Sequence, residues 1–272
     1  MTNSSKDRFL LQEFANLASK AGAAILDCRG THGRKKPDGS PVCAGDRRSE
    51  AVILAGLKAL DSHLPVISEE SFEEGCVTAC ERFVLVDPLD GTREFLSGSD
   101  DFTVNIALIE NGVPTLACLY APAQGKLWLA NGEARRYRLD PGAIFNIDDS
   151  SQAATVRAYP ADGAVALTSI HHVQAEDTVL AARLGAVKTQ RRGSSLKFAL
   201  IADGEADVYP RAGRVMAWDI AAGHAVLEAA GGKVVDRDGA PLDYRNLAGG
   251  WAQPGFIAVG DTAALSEFST AR

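Results

Sequence analysis

Two short apolar runs in the first third of the chain end directly in acidic residues. The run VIS at residues 66–68 leads into two glutamates, and the run FVLV at residues 83–86 leads into Asp87-Pro88-Leu89-Asp90. Apolar runs of this length predict buried strands. A carboxylate at the end of a buried strand is costly unless another charge or a ligand compensates it. The fold must therefore bring something to these strand ends that neutralises their acidic groups.

The composition favours a cation as the neutralising group. The chain has 272 residues, of which 46% are hydrophobic, so it can bury a sizeable core in one large domain or two modest ones. Its net charge is -7, with no long block of like charge. This argues against nucleic acid or a membrane surface as the main partner. An acidic protein that binds an anionic substrate must gather positive charge locally, from bound cations or a few side chains.

The N-terminus and the cysteines favour a cytoplasmic protein. The first residues lack an apolar core of signal-peptide length, and no apolar stretch approaches the roughly 20 residues that span a bilayer. The five cysteines are scattered, which is typical of reduced thiols. Cys76 and Cys80 lack a second Cys or His pair at zinc-like spacing. Peripheral association with the inner membrane stays open.

The secondary-structure pattern changes along the chain. Apolar residues recur at helical spacing from Phe9 to Ile25, and a second helix is predicted over residues 48–60, after a polar loop. Asn111-Gly112 between two β-rich runs predicts a hairpin. Near residue 155 the pattern becomes an alternation of strands and helices. We therefore expect two subdomains, residues 1–155 with most metal ligands and residues 156–272 with the substrate-recognition residues.

Four carboxylates fall at predicted strand or helix ends: Glu69, Asp87, Asp90 and Asp219. Taken singly, each is better explained as a cap or turn residue. Together they are hard oxygen ligands of the kind that suits Mg²⁺, which takes a few carboxylates plus substrate phosphate oxygens and keeps several waters. The set predicts a magnesium site.

The segment Asp87-Pro88-Leu89-Asp90-Gly91-Thr92 combines two kinds of binding group. Pro88 stiffens the turn, and Gly91 lets the backbone approach a ligand closely. Thr92 is predicted to open a turn or helix, where unpaired N–H groups attract phosphate oxygens. One short segment thus supplies metal ligands on one side and phosphate donors on the other.

A rival mechanism uses an aspartate as the nucleophile. Aspartyl-phosphate phosphatases carry the motif D-x-D-G-T, whereas the two acids here are one residue further apart. On an extended strand, that odd separation would point the two side chains to opposite faces. The spacing therefore favours a metal-activated water over a covalent aspartyl intermediate.

Three segments, VISEES, VDPLDGT and WDIAAGHAVLEAAGG, resemble in order the three signatures of the inositol monophosphatase-like superfamily. Other segments resemble its branch of CysQ-type 3'(2'),5'-bisphosphate nucleotidases, among them DGSPVCAGD, DFTVNIALIENG and RRGSSLKFALIADGEADVYPR. The likeness covers nearly the whole chain. It implies an α/β fold, a five-layer α/β/α/β/α sandwich with the active site between the two halves.

The resemblance implies two or three Mg²⁺ ions. The ligands of the first would be Glu69, Asp87 and the Leu89 carbonyl. The ligands of the second would be Asp87, Asp90 and Asp219. Glu70 would serve a third ion or its water, and the family implies inhibition by Li⁺.

The resemblance also assigns the groups around the reacting phosphate. Asp46, expected in the mobile polar loop, would orient the attacking water together with Thr92. The amides of Gly91 and Thr92 would bind the scissile phosphate. The family commonly has Thr three residues before this aspartate, where this chain has Cys43, so details of the Asp46 orientation stay open.

A second anion site is implied where a loop enters a helix, with the residues Gly193, Ser194, Ser195 and Lys197. Serines and free amides at a helix start with one Lys suit a phosphate, and they equally suit an ordinary Ser cap with a solvated Lys.

Arg211 and His171 match positions near the nucleotide, although the sequence around His171 departs from the family pattern. Arg191 and Arg192 either add positive potential or form a solvated pair. His224 is expected to be structural.

The reaction implied is removal of the 3'-phosphate from adenosine 3',5'-bisphosphate or its sulfated form, in support of sulfate assimilation. An inositol monophosphatase or sugar bisphosphatase on the same scaffold is the first alternative. A catalytically inactive, metal-dependent nucleotide-binding regulator is the alternative from another class.

Overall fold

The computed structural model describes residues 5–36, 39–72, 81–245 and 250–270. Cys76 and Cys80 lie outside the described residues. The helices are α1 Ser5–Leu26, α2 Ala44–Leu60, α3 Thr92–Leu96, α4 Ala175–Arg183, α5 Leu196–Ala202, α6 Ala217–Ala229 and α7 Ala263–Thr270. No helix in these ranges is long and apolar enough to cross a membrane.

Most strands belong to two sheets, one of seven strands and one of five. The strands of the first half are β1 Arg34–Lys35, β2 Pro41–Val42, β3 Val66–Ser68, β4 Arg82–Asp90, β5 Thr103–Glu110, β6 Val113–Ala121, β7 Lys126–Ala130, β8 Ala134–Arg138 and β9 Gln152–Ala153. Those of the second half are β10 Ala164–Ser169, β11 Ala186–Arg192, β12 Val208–Arg211, β13 Val215–Met216, β14 Lys233–Asp236, β15 Ala252–Gln253 and β16 Phe256–Val259.

The seven-stranded sheet runs in chain order from β3 to β9. Its strands are antiparallel apart from the β3–β4 pair, which is parallel. The predicted hairpin is confirmed, since Glu110 pairs with Val113 across Asn111 and Gly112. Both turn residues have positive φ, 52° and 80°, as a two-residue turn of this type requires.

The five-stranded sheet has the order β11-β10-β12-β16-β14. Its β10 pairs in parallel with both β11 and β12, while β16 is antiparallel to both neighbours. The strand β11 was not predicted, because its sequence, AVKTQRR, is mostly polar and exposed. As the edge strand it needs little apolar surface.

Five layers follow from where the helices pack. Helices α1 and α2 cover one face of the seven-stranded sheet, while α5 and α6 lie between the two sheets. Helices α4 and α7 cover the outer face of the five-stranded sheet. The predicted α/β/α/β/α sandwich is confirmed. The strands up to Ala153 build the larger sheet and those from Ala164 the smaller one; the division into subdomains at residue 155 stays a prediction.

Strand β4 contains a bulge between its two aspartates. Asp87 pairs with Asn105 and Asp90 pairs with Thr103, so three steps along β4 match two steps along β5. Residues opposite each other on neighbouring strands share a face, and so do residues two apart on one strand. Both aspartates therefore face the α5–α6 layer. The prediction of opposite faces was wrong, because it assumed a regular strand.

Helix α2 begins four residues before the predicted start. Cys43 is its N-cap, and the Cys43 N–H donates to Asp46 Oδ2 at 2.7 Å. Asp46 is therefore the third residue of the helix and is buried. Its predicted place in the mobile loop was wrong. The reciprocal bonding is a capping box, which is hard to recognise when Cys and Asp stand in for the usual Ser or Thr and Glu.

Candidate active site

A cavity of about 850 Å³ opens where the C-terminal ends of β3 and β4 meet the start of α6. One wall carries acidic side chains, and the other carries cationic and hydroxyl side chains from α5, β12 and the loops before them. Its polar lining includes Lys36, Glu69, Glu70, Asp87, Asp90, Thr92, Glu94, His172, Ser194, Ser195, Lys197, Arg211 and Asp219.

Three of the four predicted carboxylates converge. Glu69, Asp87 and Asp219 each offer an oxygen within 4.8 Å of the other two. Burial raises the pKa of Asp87 well above its ordinary value, and the negative charges of Glu69, Asp90 and Asp219 raise it further. Burial also raises the pKa of Asp219, with the charges of Asp90 and Glu69 adding to the effect. The three groups repel one another and need a cation.

Asp90 lies next to this trio but points to a different partner. Its carboxylate accepts a short hydrogen bond from the backbone N–H of Ser195. Burial raises the pKa of Asp90 to about 6, against the opposing attraction of Lys197. Asp90 thus connects the acidic wall to the opposite one, and its role as ligand of a second ion stays a prediction.

Among the described residues, Lys36 forms ion pairs with the acidic wall. Its ammonium lies 2.7 Å from Glu69 Oε1 and 2.6 Å from Glu70 Oε1. Although burial alone would lower the pKa of Lys36, the attraction of Glu69 and the hydrogen bonds to both glutamates raise it above its ordinary value. Burial raises the pKa of Glu70 to about 7, even though the Lys36 hydrogen bond opposes the change. Sequence reasoning missed Lys36, which sits in a polar loop without a local pattern.

Asp46 and Thr92, predicted as partners, are in contact. Thr92 Oγ1 lies 2.9 Å from Asp46 Oδ1 and 3.2 Å from the Leu89 carbonyl, and it donates its single proton to one of them. Gly91, at the start of α3, has a φ of 92°, and a Cβ there would lie 3.0 Å from the Asp101 carbonyl. A side chain at this position is therefore strained. Since the hydroxyl proton is used inside the protein, the Thr92 oxygen can accept a hydrogen bond from water in the cavity.

The opposite wall is tied together by buried hydrogen bonds. Ser195 Oγ lies 2.8 Å from both Thr103 Oγ1 and Asn105 Oδ1. Lys197 donates to the carbonyls of Ser194 at 2.5 Å and Arg192 at 3.2 Å. Burial lowers the pKa of Lys197 to about 8. Lys197 is thus a buried, internally bonded cation, and a solvated surface lysine is excluded.

Thr103 and Asn105 were missed, although a signal existed. They are polar residues two apart in the run FTVNIALIE, so they share one face of an otherwise apolar strand.

The remaining predicted residues divide between the cavity and its surroundings. Arg211 lines the cavity, and its guanidinium donates to the His172 carbonyl at 2.5 Å. Among the described residues, His172 lines the cavity and His171 does not; the role of His171 stays a prediction. Arg192 lies 3.9 Å from Asp101. His224 Nδ1 lies 3.0 Å from the Tyr244 hydroxyl, inside the core.

The donor set fits a hard divalent cation. Carboxylate oxygens from two strand ends and one helix start lie within 4.8 Å of one another, and burial together with neighbouring negative charges raises the pKa of all three groups. Oxygen ligands of this kind suit Mg²⁺ or Ca²⁺ and are poor ligands for soft metals.

Comparison with known proteins gives consistent results. The model of the inositol monophosphatase family matches residues 8–267. The 3'(2'),5'-bisphosphate nucleotidase CysQ of Shigella flexneri is 40% identical over 241 residues, which cover 86% of this chain and 94% of that protein. CysQ of Escherichia coli K12 is 40% identical over 240 residues, with the same coverage.

Solved structures show the same fold. The crystal structure of CysQ from Bacteroides thetaiotaomicron matches with a TM-score of 0.78 and 31% identity, covering 93% of this chain and 97% of that one. An inositol monophosphatase from Anabaena matches with a TM-score of 0.77 and 24% identity, covering 98% and 96%. The chain belongs to the inositol monophosphatase family.

Proposed function

We propose that this chain is a Mg²⁺-dependent phosphatase that removes the 3'-phosphate of adenosine 3',5'-bisphosphate or of its sulfated form. The convergence of Glu69, Asp87 and Asp219 on one cavity, opposite a buried Lys197, is the observation that carries the proposal. The bisphosphate nucleotidases that are 40% identical over most of the chain support the choice of substrate.

The acidic wall would hold the scissile phosphate through divalent cations. When bound, such ions neutralise phosphate charge and make water a better nucleophile. Glu69, Asp87 and Asp219 would be ligands, with Asp90 and the Leu89 carbonyl as further candidates and Glu70 near a third ion.

Asp46 and Thr92 would place the attacking water. The Asp46 carboxylate is fixed by the Cys43 amide, and it fixes the Thr92 hydroxyl in turn. The Thr92 oxygen is then held as an acceptor for a hydrogen bond from the attacking water. Orientation of this kind is a large part of catalysis in phosphoryl transfer.

The cationic wall would bind the second phosphate and the nucleoside. Lys197 and Arg211 supply positive charge, and Ser194 and Ser195 lie beside them. The Ser195 N–H and hydroxyl are bonded to Asp90 and Asn105 in this structure, so they would have to exchange those partners for a phosphate. A substrate with a phosphate at each end matches a cavity with an acidic, cation-requiring wall facing a basic one.

The test is phosphate release from adenosine 3',5'-bisphosphate, inositol 1-phosphate and fructose 1,6-bisphosphate, each with Mg²⁺ and with a chelator. We expect the nucleotide to have the highest kcat/KM, the chelator to abolish release, and Li⁺ to inhibit it. A higher kcat/KM for either of the other two substrates would contradict the nucleotide assignment. Release that persists in the chelator would contradict the metal requirement.

A further inference from the structure

Glu94 is a buried carboxylate that the proposed reaction does not use. It follows Thr92 by two residues in α3, its residue is 6% exposed, and it lines the cavity. Within the described part of the chain, its side-chain oxygens accept no hydrogen bond. The His171 ring nitrogen lies 3.9 Å from Glu94 Oε1, which is beyond hydrogen-bond distance. A mostly buried carboxylate that lines a cavity and lacks a protein donor is placed to accept a hydrogen bond from a molecule bound there.

Gly193 is what lets this carboxylate reach its place. A Cβ at Gly193 would lie 2.6 Å from Glu94 Cγ and 3.0 Å from Glu94 Cδ. Any side chain at residue 193 would therefore push Glu94 away. The Glu94 side chain is held against the loop that leads into Ser194 and Ser195. It thus lies between the Thr92 end of the cavity and the basic wall.

The chemistry of Glu94 selects its ligand. A carboxylate accepts hydrogen bonds and repels phosphate oxygens, so the donor must belong to the part of the substrate between its two phosphates. In adenosine 3',5'-bisphosphate that part is the ribose, whose 2'-hydroxyl is on the carbon next to the 3'-phosphate. We propose that Glu94 accepts a hydrogen bond from this hydroxyl and selects ribonucleotides over 2'-deoxyribonucleotides. The inference rests on the proposed nucleotidase function.

The experiment compares adenosine 3',5'-bisphosphate with its 2'-deoxy analogue as substrates. In the wild-type protein we expect kcat/KM to be ~10- to 100-fold higher for the ribonucleotide, the factor of one hydrogen bond to a charged acceptor. In Glu94→Leu, which has no acceptor, the ratio should fall toward one. In Glu94→Gln, which keeps a carbonyl oxygen, it should fall only in part. Glu133→Leu, at an exposed glutamate, should keep the wild-type ratio.

Two results overturn this proposal alone. One is a wild-type protein that hydrolyses both nucleotides with equal kcat/KM, which leaves the nucleotidase function intact. The other is a Glu94→Leu or, should that variant not fold, a Glu94→Gln protein with the full wild-type ratio. A wild-type protein that hydrolyses neither nucleotide but does hydrolyse inositol 1-phosphate overturns the nucleotidase function, and this inference with it.

Discussion

The two walls of the cavity hold their charges in opposite ways. On the acidic wall, Glu69, Asp87 and Asp219 crowd together with Lys36 as a partial counter-charge. On the basic wall, Lys197 donates to two carbonyls and lies 4.9 Å from the Tyr209 ring centroid. The acidic wall is incomplete without an added cation, whereas on the basic wall the protein itself supplies partners for the Lys197 charge. A substitution should therefore stabilise the metal-free protein on one wall and destabilise it on the other.

The largest effect is expected on the acidic wall. Asp219→Asn should lower phosphate release at least about 100-fold, as expected when a group that organises transition-state charge is removed. It should also raise the melting temperature in a chelator, because one of three repelling charges is gone. Release assays and thermal melts check both effects, with Asp149→Asn at an exposed aspartate as the control. A lower melting temperature of Asp219→Asn in the chelator would contradict the proposed repulsion among the carboxylates of the acidic wall.

On the basic wall, the stability change should have the opposite sign. Lys197→Met removes the donor to the buried Ser194 carbonyl and to the part-buried Arg192 carbonyl. Loss of the buried bond should cost about 1–3 kcal/mol, so the melting temperature should fall. KM for the nucleotide should rise ~10- to 100-fold, because a charge that faces a phosphate is lost. Lys188→Met, at an exposed residue before the same loop, should change neither quantity. An unchanged KM in Lys197→Met would contradict the assignment of Lys197 to the phosphate site.

The pH dependence of stability sharpens the contrast. The pKa values of Asp90, about 6, and Glu70, about 7, are raised above ordinary values near ~4. A carboxyl group with a raised pKa contributes stability that is present below its ordinary pKa and lost as the pH rises through its folded pKa. The melting temperature of the metal-free protein should thus fall by several degrees from pH ~4.5 to ~7.5, and Mg²⁺ should flatten the curve. Thermal melts across this range check the expectation. A melting temperature that rises with pH would contradict it.

The smallest effect is expected at Lys36, which is the protein's own counter-charge to Glu69. A metal ion that binds Glu69 would compete with Lys36 for that carboxylate. We therefore expect Lys36→Gln to lower the Mg²⁺ concentration at half-maximal thermal stabilisation. The expected change is about 2- to 5-fold, since a partly exposed ion pair contributes roughly 1 kcal/mol or less. Lys35→Gln, on the exposed neighbouring residue, should leave the titration unchanged. A higher Mg²⁺ requirement in Lys36→Gln would mean that Lys36 assists the metal.

Much of the fold was readable from local patterns. The apolar run before Asp87, the Asn111-Gly112 turn and the helix that carries Asp219 all appear where their spacing predicted. These features depend on near neighbours in the chain. The convergence of Glu69, Asp87 and Asp219 could be inferred because strand and helix ends collect at one edge of a layered fold.

What escaped prediction depends on contacts between distant segments. Lys36 reaches Glu69 across 33 positions, and Ser195 reaches Asn105 across 90. Neither pairing produces a periodic pattern in the amino-acid sequence. The early start of α2 was missed for a different reason, since its cap uses Cys43, a residue type that seldom marks a helix start.

The bulge in β4 is as important to the site as the two acids on either side of it. Without the bulge, three regular steps would separate Asp87 from Asp90, and one carboxylate would turn toward the layer of Phe102 and Val104, beneath α1 and α2. Such a chain would keep every acidic residue of the original, yet one of them would lie in an apolar core. A substitution of Pro88 or Leu89 that straightens the strand should therefore cost the site one carboxylate without changing either acid.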